Sequence, residues 1–213
     1  TGLGVHKDYY RARECYEILA KQNYSNAFYK LGEFYFNGNG VEKNYIKAKE
    51  YYLLAANKSH SKALFNLGEL YFNGYGVEKD NLKALRYYKL AANQFDSEAL
   101  FKLGQLYHKG IGVKKDLFKA KEYYELAGYN NNPDAFYYLA GLYLKTNISK
   151  AIQYFLKSIE THYKKVLVYN NVDKYHYNDF ISNHYYYHSC NDLGLLYLLI
   201  NKDVENATKY IKE

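Results

Sequence analysis

Residues Ala63 to Glu98 read ALFNLGELYFNGYGVEKDNLKALRYYKLAANQFDSE, and the 36 residues from Ala99 repeat them as ALFKLGQLYHKGIGVKKDLFKAKEYYELAGYNNNPD. The same text runs from Ala27, and Ala135 opens a fourth copy, so the period is 36. A fixed period of this size marks a solenoid built from one supersecondary unit that buries its apolar face only by stacking on copies of itself. Within the unit, Ala63, Leu67, Leu70 and Tyr71 recur at helical spacing and predict a first helix over Ala63 to Phe72. Gly74-Tyr75-Gly76-Val77 breaks it, because glycine supplies the left-handed backbone that stops a helix. Asp80 then sits where it can accept bonds from the free N–H groups of a second helix. Leu82, Ala84, Leu85, Tyr88 and Ala91 form the stripe of that helix.

The ladder is regular: Gly38, Gly74, Gly110; Gly40, Gly76, Gly112; Val41, Val77, Val113; Asn44, Asp80, Asp116. Small residues recur where two helices must touch, at Gly32, Gly68 and Gly104 in the first helix and Ala48, Ala84 and Ala120 in the second. Larger side chains there would push the helices apart and open voids. The expected fold is all-α, a right-handed α-solenoid (superhelix) of antiparallel helix pairs.

The pattern A-x3-L-G-x2-Y-x2-G-x-G-V-x2-D-x2-K-A-x2-Y-Y-x2-A-A resembles the Sel-one-like repeat, a relative of the tetratricopeptide repeat. The tetratricopeptide unit has 34 residues, and the two extra residues fall in the G-x-G-V loop. The resemblance covers nearly all of residues 1–165, returns weakened at 189–213, and lapses over a Tyr/His-rich insertion at 166–188. It implies a role in assembling protein complexes, as a scaffold or adaptor segment of a larger protein, with attachment to a signalling or kinase domain among the family's arrangements. Some bacterial members of the family are penicillin-binding or β-lactamase-like, so the resemblance implies a secreted bacterial-type repeat enzyme as the alternative function. Those are secreted and carry a Cys pair in each repeat, whereas this chain has two Cys in all, Cys15 and Cys190, in different repeats.

The chain starts in mid-repeat. Gly2, Gly4, Val5, Asp8, Ala12 and Ala20 stand one period before Gly38, Gly40, Val41, Asn44, Ala48 and Ala56, so residues 1–7 are expected to be a loop and Asp8 to Ala20 a second helix. With no Met in the chain and a last second helix broken off at Tyr210 to Glu213, a fragment of a longer protein is the reading. The fourth copy keeps Leu139, Tyr143 and Ala151 but loses the glycine loop, with Asn147 taking the cap, so a tighter turn is expected there and in the last copy. Asp8, Asn44, Asp80, Asp116, Asn147 and Asp203 each stand four before the key Ala. About 23 residues are inserted between Ile159 and Ser189; Tyr163 to Tyr169 is expected to prolong the preceding helix, and Asn178 or Asp179 to cap a long helix running to about Ile200.

Net charge is +7, concentrated in the first part, where 21 basic and 15 acidic residues precede Ile148 against 8 and 7 beyond. A Lys-rich solvated face is the plain reading, and attraction to an anionic surface the alternative. Only three of the 29 basic residues are Arg, which speaks against nucleic acid, where Arg forks read bases and phosphates. No apolar run approaches membrane-spanning length. Two distant cysteines do not form a disulfide framework, so a reducing, cytoplasmic compartment is expected.

His176, His184, His188 and Cys190 cluster in and beside the insertion, but no carboxylate or second Cys completes a zinc spacing, and no metal or cofactor is expected. A Cys190–His188 nucleophile pair lacks an orienting third group. The glycine loops follow helices rather than strands and no Lys-Ser/Thr follows, so they are not phosphate cradles. The chain is therefore expected not to be an enzyme. The remaining ladder lies on the first helices: Tyr29, Phe65, Phe101 and Tyr137; Glu33, Glu69, Gln105 and Gly141; Phe36, Phe72, His108 and Leu144; with Asn37, Asn73, Lys109 and Lys145 at the rim. The resemblance implies that these positions face a concave groove. The expected function is binding of a protein partner, as an extended peptide or helix, through Tyr29, Glu33, Phe36, Phe65, Glu69, Phe72, Phe101, Gln105, His108, Lys109, Tyr137 and Lys145.

Overall fold

The computed structural model describes residues 8–170 and 184–201. Among these residues there are ten helices and no strand: α1 Tyr9–Lys21, α2 Ser25–Asn37, α3 Tyr45–Ala56, α4 Ser61–Asn73, α5 Asn81–Ala92, α6 Ser97–Lys109, α7 Leu117–Tyr129, α8 Pro133–Tyr143, α9 Ile148–Asn170 and α10 His184–Asn201. The fold is an all-α solenoid of helix pairs. It divides into two compact units, Thr1–Leu103 with Gly110–Lys114 and Gly104–Lys109 with Lys115–Glu213.

Each helix starts and stops for a local reason. Asp80 Oδ1 accepts from the backbone N–H of Leu82 (3.0 Å) and Lys83 (2.9 Å) at the start of α5. Asp8, Asn44, Asp116 and Asn147 do the same for α1, α3, α7 and α9. At the other end Gly74 closes α4 at φ +76°, with its N–H on Leu70 O at 2.9 Å. Two residues on, Gly76 (φ +64°) has no room for a side chain, since a Cβ there would lie 2.7 Å from Tyr45 Cβ of the preceding repeat. The seven-residue loop is tied back by Asp80 N–H to Tyr71 O at 2.9 Å, and the copies at Asn44 and Asp116 repeat the bond. Between α8 and α9 the connection shrinks to Leu144–Asn147, with Asn147 N–H on Tyr143 O at 2.8 Å; this is the tighter turn expected from the lost glycines.

The glycines of the first helices face fully buried tyrosines of the second. A Cβ on Gly32, Gly68 or Gly104 would lie 2.5 Å from the ring of Tyr52, Tyr88 or Tyr124. In the first unit a core of Ala48, Tyr52, Ala55, Ala63, Leu67 and Leu70 closes around these contacts. In the second, Ala140, Phe155 and Leu193 join α8, α9 and α10. A second row of tyrosines stacks in pairs, Tyr35 on Tyr51, Tyr71 on Tyr87 and Tyr107 on Tyr123, at 5.5–5.7 Å between centroids. The tyrosine-rich composition thus serves largely to pack helix on helix.

The structure departs from the sequence reading at Leu82. That residue is expected on the buried stripe of α5, yet Ala84, Leu85, Tyr88 and Ala91 are buried there while Leu82 is 59% exposed. The reason is geometric: α5 packs through the face that carries its alanines and Tyr88, and Leu82 lies on the far side. The loop expected over residues 1–7, His176, the caps at Asn178 or Asp179, and the last second helix around Asp203 to Tyr210 lie outside the described residues. The prolonged helix is seen, since α9 runs to Asn170.

Candidate functional site

The first-helix ladder is best defined in the first unit. On α2, Tyr29 is 8% exposed; its Oη donates to Glu33 Oε1 at 2.7 Å and its ring stacks on His60 at 4.6 Å. Burial, and then the bond to Glu33, hold its phenol protonated well above the ordinary range. Lys30 Nζ reaches the other oxygen of Glu33 at 2.7 Å. Phe36, one turn further, is half-buried against Tyr45 and Tyr75, which stack on each other at 5.0 Å.

On α4 the same three positions are Phe65, Glu69 and Phe72, all half-buried. Glu69 is held from three sides. Tyr88 Oη donates to its Oε1 at 2.6 Å, Lys102 Nζ lies 3.1 Å from the same oxygen, and Asn73 Nδ2 lies 3.3 Å from Oε2. Phe65 lies against the Tyr88 ring at 5.8 Å. Phe72 carries Lys79 and Lys102 near its ring, at 5.7 and 5.8 Å from the centroid. The result is a face of aromatic edges with a fixed carboxylate and lysines between them. Phe101, the next rung, is 6% exposed and belongs to the core rather than to that surface.

In the second unit Gln105 and His108 are half-buried and Lys109 is exposed. His108 Nδ1 lies 3.3 Å from Tyr124 Oη; burial, then Lys115 and Lys109, lower its pKa, so its ring is neutral at neutral pH. Positive charge at this end therefore rests on Lys109 and on exposed Lys145. Tyr137 is half-buried, its Oη donating to Asp192 Oδ2 at 3.2 Å and its ring facing Tyr185 and His188 of α10. Burial and then Asp192 push its phenol up to about 12.

Sequence reasoning missed Lys30, Tyr88 and Lys102, whose side chains complete the face. Only Tyr88 carried a signal, its 36-residue ladder with Tyr52 and Tyr124. It also missed a constellation in the second unit. Ser158, His162 and Asp134 come together across α8 and α9, with Ser158 Oγ 3.5 Å from His162 Nδ1 and His162 Nε2 3.1 Å from Asp134 Oδ1. These are the residue types of a hydrolase triad, but the geometry does not serve one. His162 Nδ1 lies nearer the Ser158 carbonyl, at 2.8 Å, and Ser158 Oγ donates to Pro133 O at 3.1 Å. Ser158 is 0% and His162 2% exposed, so no substrate reaches the hydroxyl. The cluster ties α8 to α9 and, through the Ser189 hydroxyl, to α10.

His184 and His188 both lie on α10, and Cys190 is 2% exposed. No group of three His, Cys, Asp or Glu side chains placed to hold a metal ion occurs among the described residues. No helix among them is long and apolar enough to cross a membrane.

Comparison with known proteins places this geometry. The Sel1 repeat family model matches residues 1–24, 25–60, 61–94, 97–132 and 135–160. A Sel1 repeat protein from Oxalobacter formigenes is 25% identical, with a TM-score of 0.77 over 98% of this chain and 78% of its own. The protective antigen c5321 of uropathogenic Escherichia coli, described as displaying an SLR fold, is 26% identical with a TM-score of 0.67. That match covers 98% of this chain, which spans about half (49%) of the antigen. The immunity protein Pa5087 of Pseudomonas aeruginosa shares the fold at 21% identity, with a TM-score of 0.56 over 95% of this chain and 67% of its own. No curated protein matches the chain by sequence.

Proposed function

The chain belongs to the Sel1 repeat family, whose repeats are generally protein–protein interaction scaffolds, and on that premise we propose that it is a non-catalytic scaffold binding a partner peptide or helix on its first-helix face. In the first unit the contact residues are Glu33, Phe36, Phe65, Glu69 and Phe72, with Tyr29 and Phe101 setting the floor beneath them. In the second unit, taken by itself, Gln105, His108, Lys109, Tyr137 and Lys145 occupy the equivalent positions.

The observation that carries the reading is Glu69. Its carboxylate is fixed by Tyr88, Lys102 and Asn73 between two half-buried phenylalanines on the same helix stripe. A polar group already held in place beside apolar edges loses little freedom on binding, which is where affinity in such grooves is otherwise lost. The aromatic edges supply most of the energy and the charges set orientation.

Partner capture from extracts of the source cells tests this. Phe65→Ala with Phe72→Ala is expected to cut capture at least about tenfold, since such anchors are worth roughly 2 kcal/mol or more each. Lys58→Gln, exposed in the turn between α3 and α4, is expected to leave it unchanged. A folded double variant that captures as the parent does contradicts the proposal.

A further inference from the structure

The second helices carry a pattern that neither the fold nor the first-helix face uses. On α1, α3 and α5 of the first unit, Tyr10, Ile46 and Leu82 stand one period apart and are 66%, 56% and 59% exposed. Ile18, Leu54 and Leu90 form a second such ladder at 57%, 45% and 49%. The second unit keeps one rung of each on α7, Phe118 and Leu126. A single exposed leucine needs no explanation, but large apolar residues repeated at equivalent solvent positions in successive repeats form a patch, and such patches mark interaction sites.

The charges around the patch say what fits it. Of the exposed charged residues on α1, α3 and α5, six are cations (Arg11, Lys21, Lys47, Lys83, Arg86 and Lys89) and two are carboxylates (Glu14 and Glu50). Arg11, Lys47 and Lys83 each follow a rung of the first ladder. Lys47 lies near the Tyr35 ring at 5.2 Å and Lys83 near the Tyr71 ring at 5.4 Å. Arg11 and Lys83 also pair with the cap carboxylates Asp8 (3.2 Å) and Asp80 (3.3 Å), so the cations left to a partner are chiefly Lys21, Lys47, Arg86 and Lys89. We infer that the outer face of α1, α3 and α5 is a second binding surface, and that its occupant is an acidic amphipathic helix laying its apolar side on the two ladders and its carboxylates on the cation rows. A second copy of the chain would bring like charge against like charge.

The test uses the whole chain and a labelled peptide of about 20 residues with a leucine face flanked by glutamates, long enough to cross three stacked helices. Fluorescence anisotropy compares it with the same peptide carrying lysines in place of the glutamates. Vesicles of phosphatidylcholine with phosphatidylserine and sedimentation velocity of the chain alone run in parallel. The glutamate peptide is expected to bind at least about tenfold tighter than the lysine peptide. Ile46→Gln with Leu82→Gln, and separately Lys47→Glu with Arg86→Glu, are each expected to remove that preference; all four positions are exposed, and an unchanged helical spectrum verifies the fold. Phe65→Ala with Phe72→Ala is expected to leave it intact, which separates this surface from the first-helix face. Equal binding of the two peptides overturns the inference, as does binding untouched by the four substitutions. So does vesicle binding or self-association that depends on those four residues in the absence of a peptide preference.

Discussion

Gly68→Leu is expected to destabilise the chain by about 3 kcal/mol, the top of the usual range for overpacking, because the added side chain starts inside the space of a buried ring. Its Cβ alone would lie 2.5 Å from Tyr88 Cε1, and Tyr88 is 0% exposed. Tyr88 cannot swing away cheaply, since its Oη is committed to Glu69 at 2.6 Å. Leucine is a better helix former than glycine by up to about 1 kcal/mol, and the clash outweighs that gain. For a chain of this size the melting temperature is expected to fall by roughly 6–12 °C. Gly141 supplies the control. It lies in α8 with nothing within 4 Å of the position its Cβ would take, so Gly141→Ala is expected to stabilise by up to about 1 kcal/mol. Thermal unfolding followed by circular dichroism reads both; an unchanged melting temperature for Gly68→Leu contradicts the packing described.

Phe101→Ala is expected to cost about 3–5 kcal/mol, the usual loss on emptying a buried aromatic site. Phe65 holds the same repeat position but is half-buried, so Phe65→Ala is expected to cost clearly less. The same thermal measurement ranks them, and equal losses would contradict the assignment of Phe101 to the core. The difference also decides which residues can report on binding. A Phe101 variant measures stability first, whereas Phe65 and Phe72 present edges to solvent and report on a partner.

Much of the fold was legible because the repeat states each rule several times. The 36-residue period, the glycine stops, the Asx caps and the short α8–α9 turn are all local effects, and local chemistry survives in a single sequence. Leu82 was not legible. A helical stripe is wide enough to include its edges, and only the packing of α5 shows which edge meets a neighbour. The left-handed residues between repeats, Asn23, Ser59, Phe95 and Asn131, also recur every 36 residues. Two are Asn, which tolerates that backbone, but Phe95 gives no warning of it.

The candidate site was legible only as a ladder of positions. Periodicity says that Tyr29, Phe65 and Phe101 are equivalent by register; it does not say that two of them are nearly covered and one is not. The grip of Tyr88 and Lys102 on Glu69 joins residues 19 and 33 positions away. Such contacts depend on how repeats stack, which no stretch of sequence encodes alone. Ser158, His162 and Asp134 illustrate the converse. Residue types suited to catalysis meet in space, and burial with hydrogen-bond direction turns them into a helix tie.

The central claim, that the partner lies on the first-helix face, is tested most directly by photo-crosslinking from two positions in the first unit. A benzophenone side chain placed at Asn37, exposed at the end of α2 beside Phe36, is expected to crosslink the captured partner efficiently. The same group at Leu90, 49% exposed on α5, is expected to give little or no crosslink to that partner. Crosslinking through Leu90 with none through Asn37 would contradict the account and place the partner on the second helices instead.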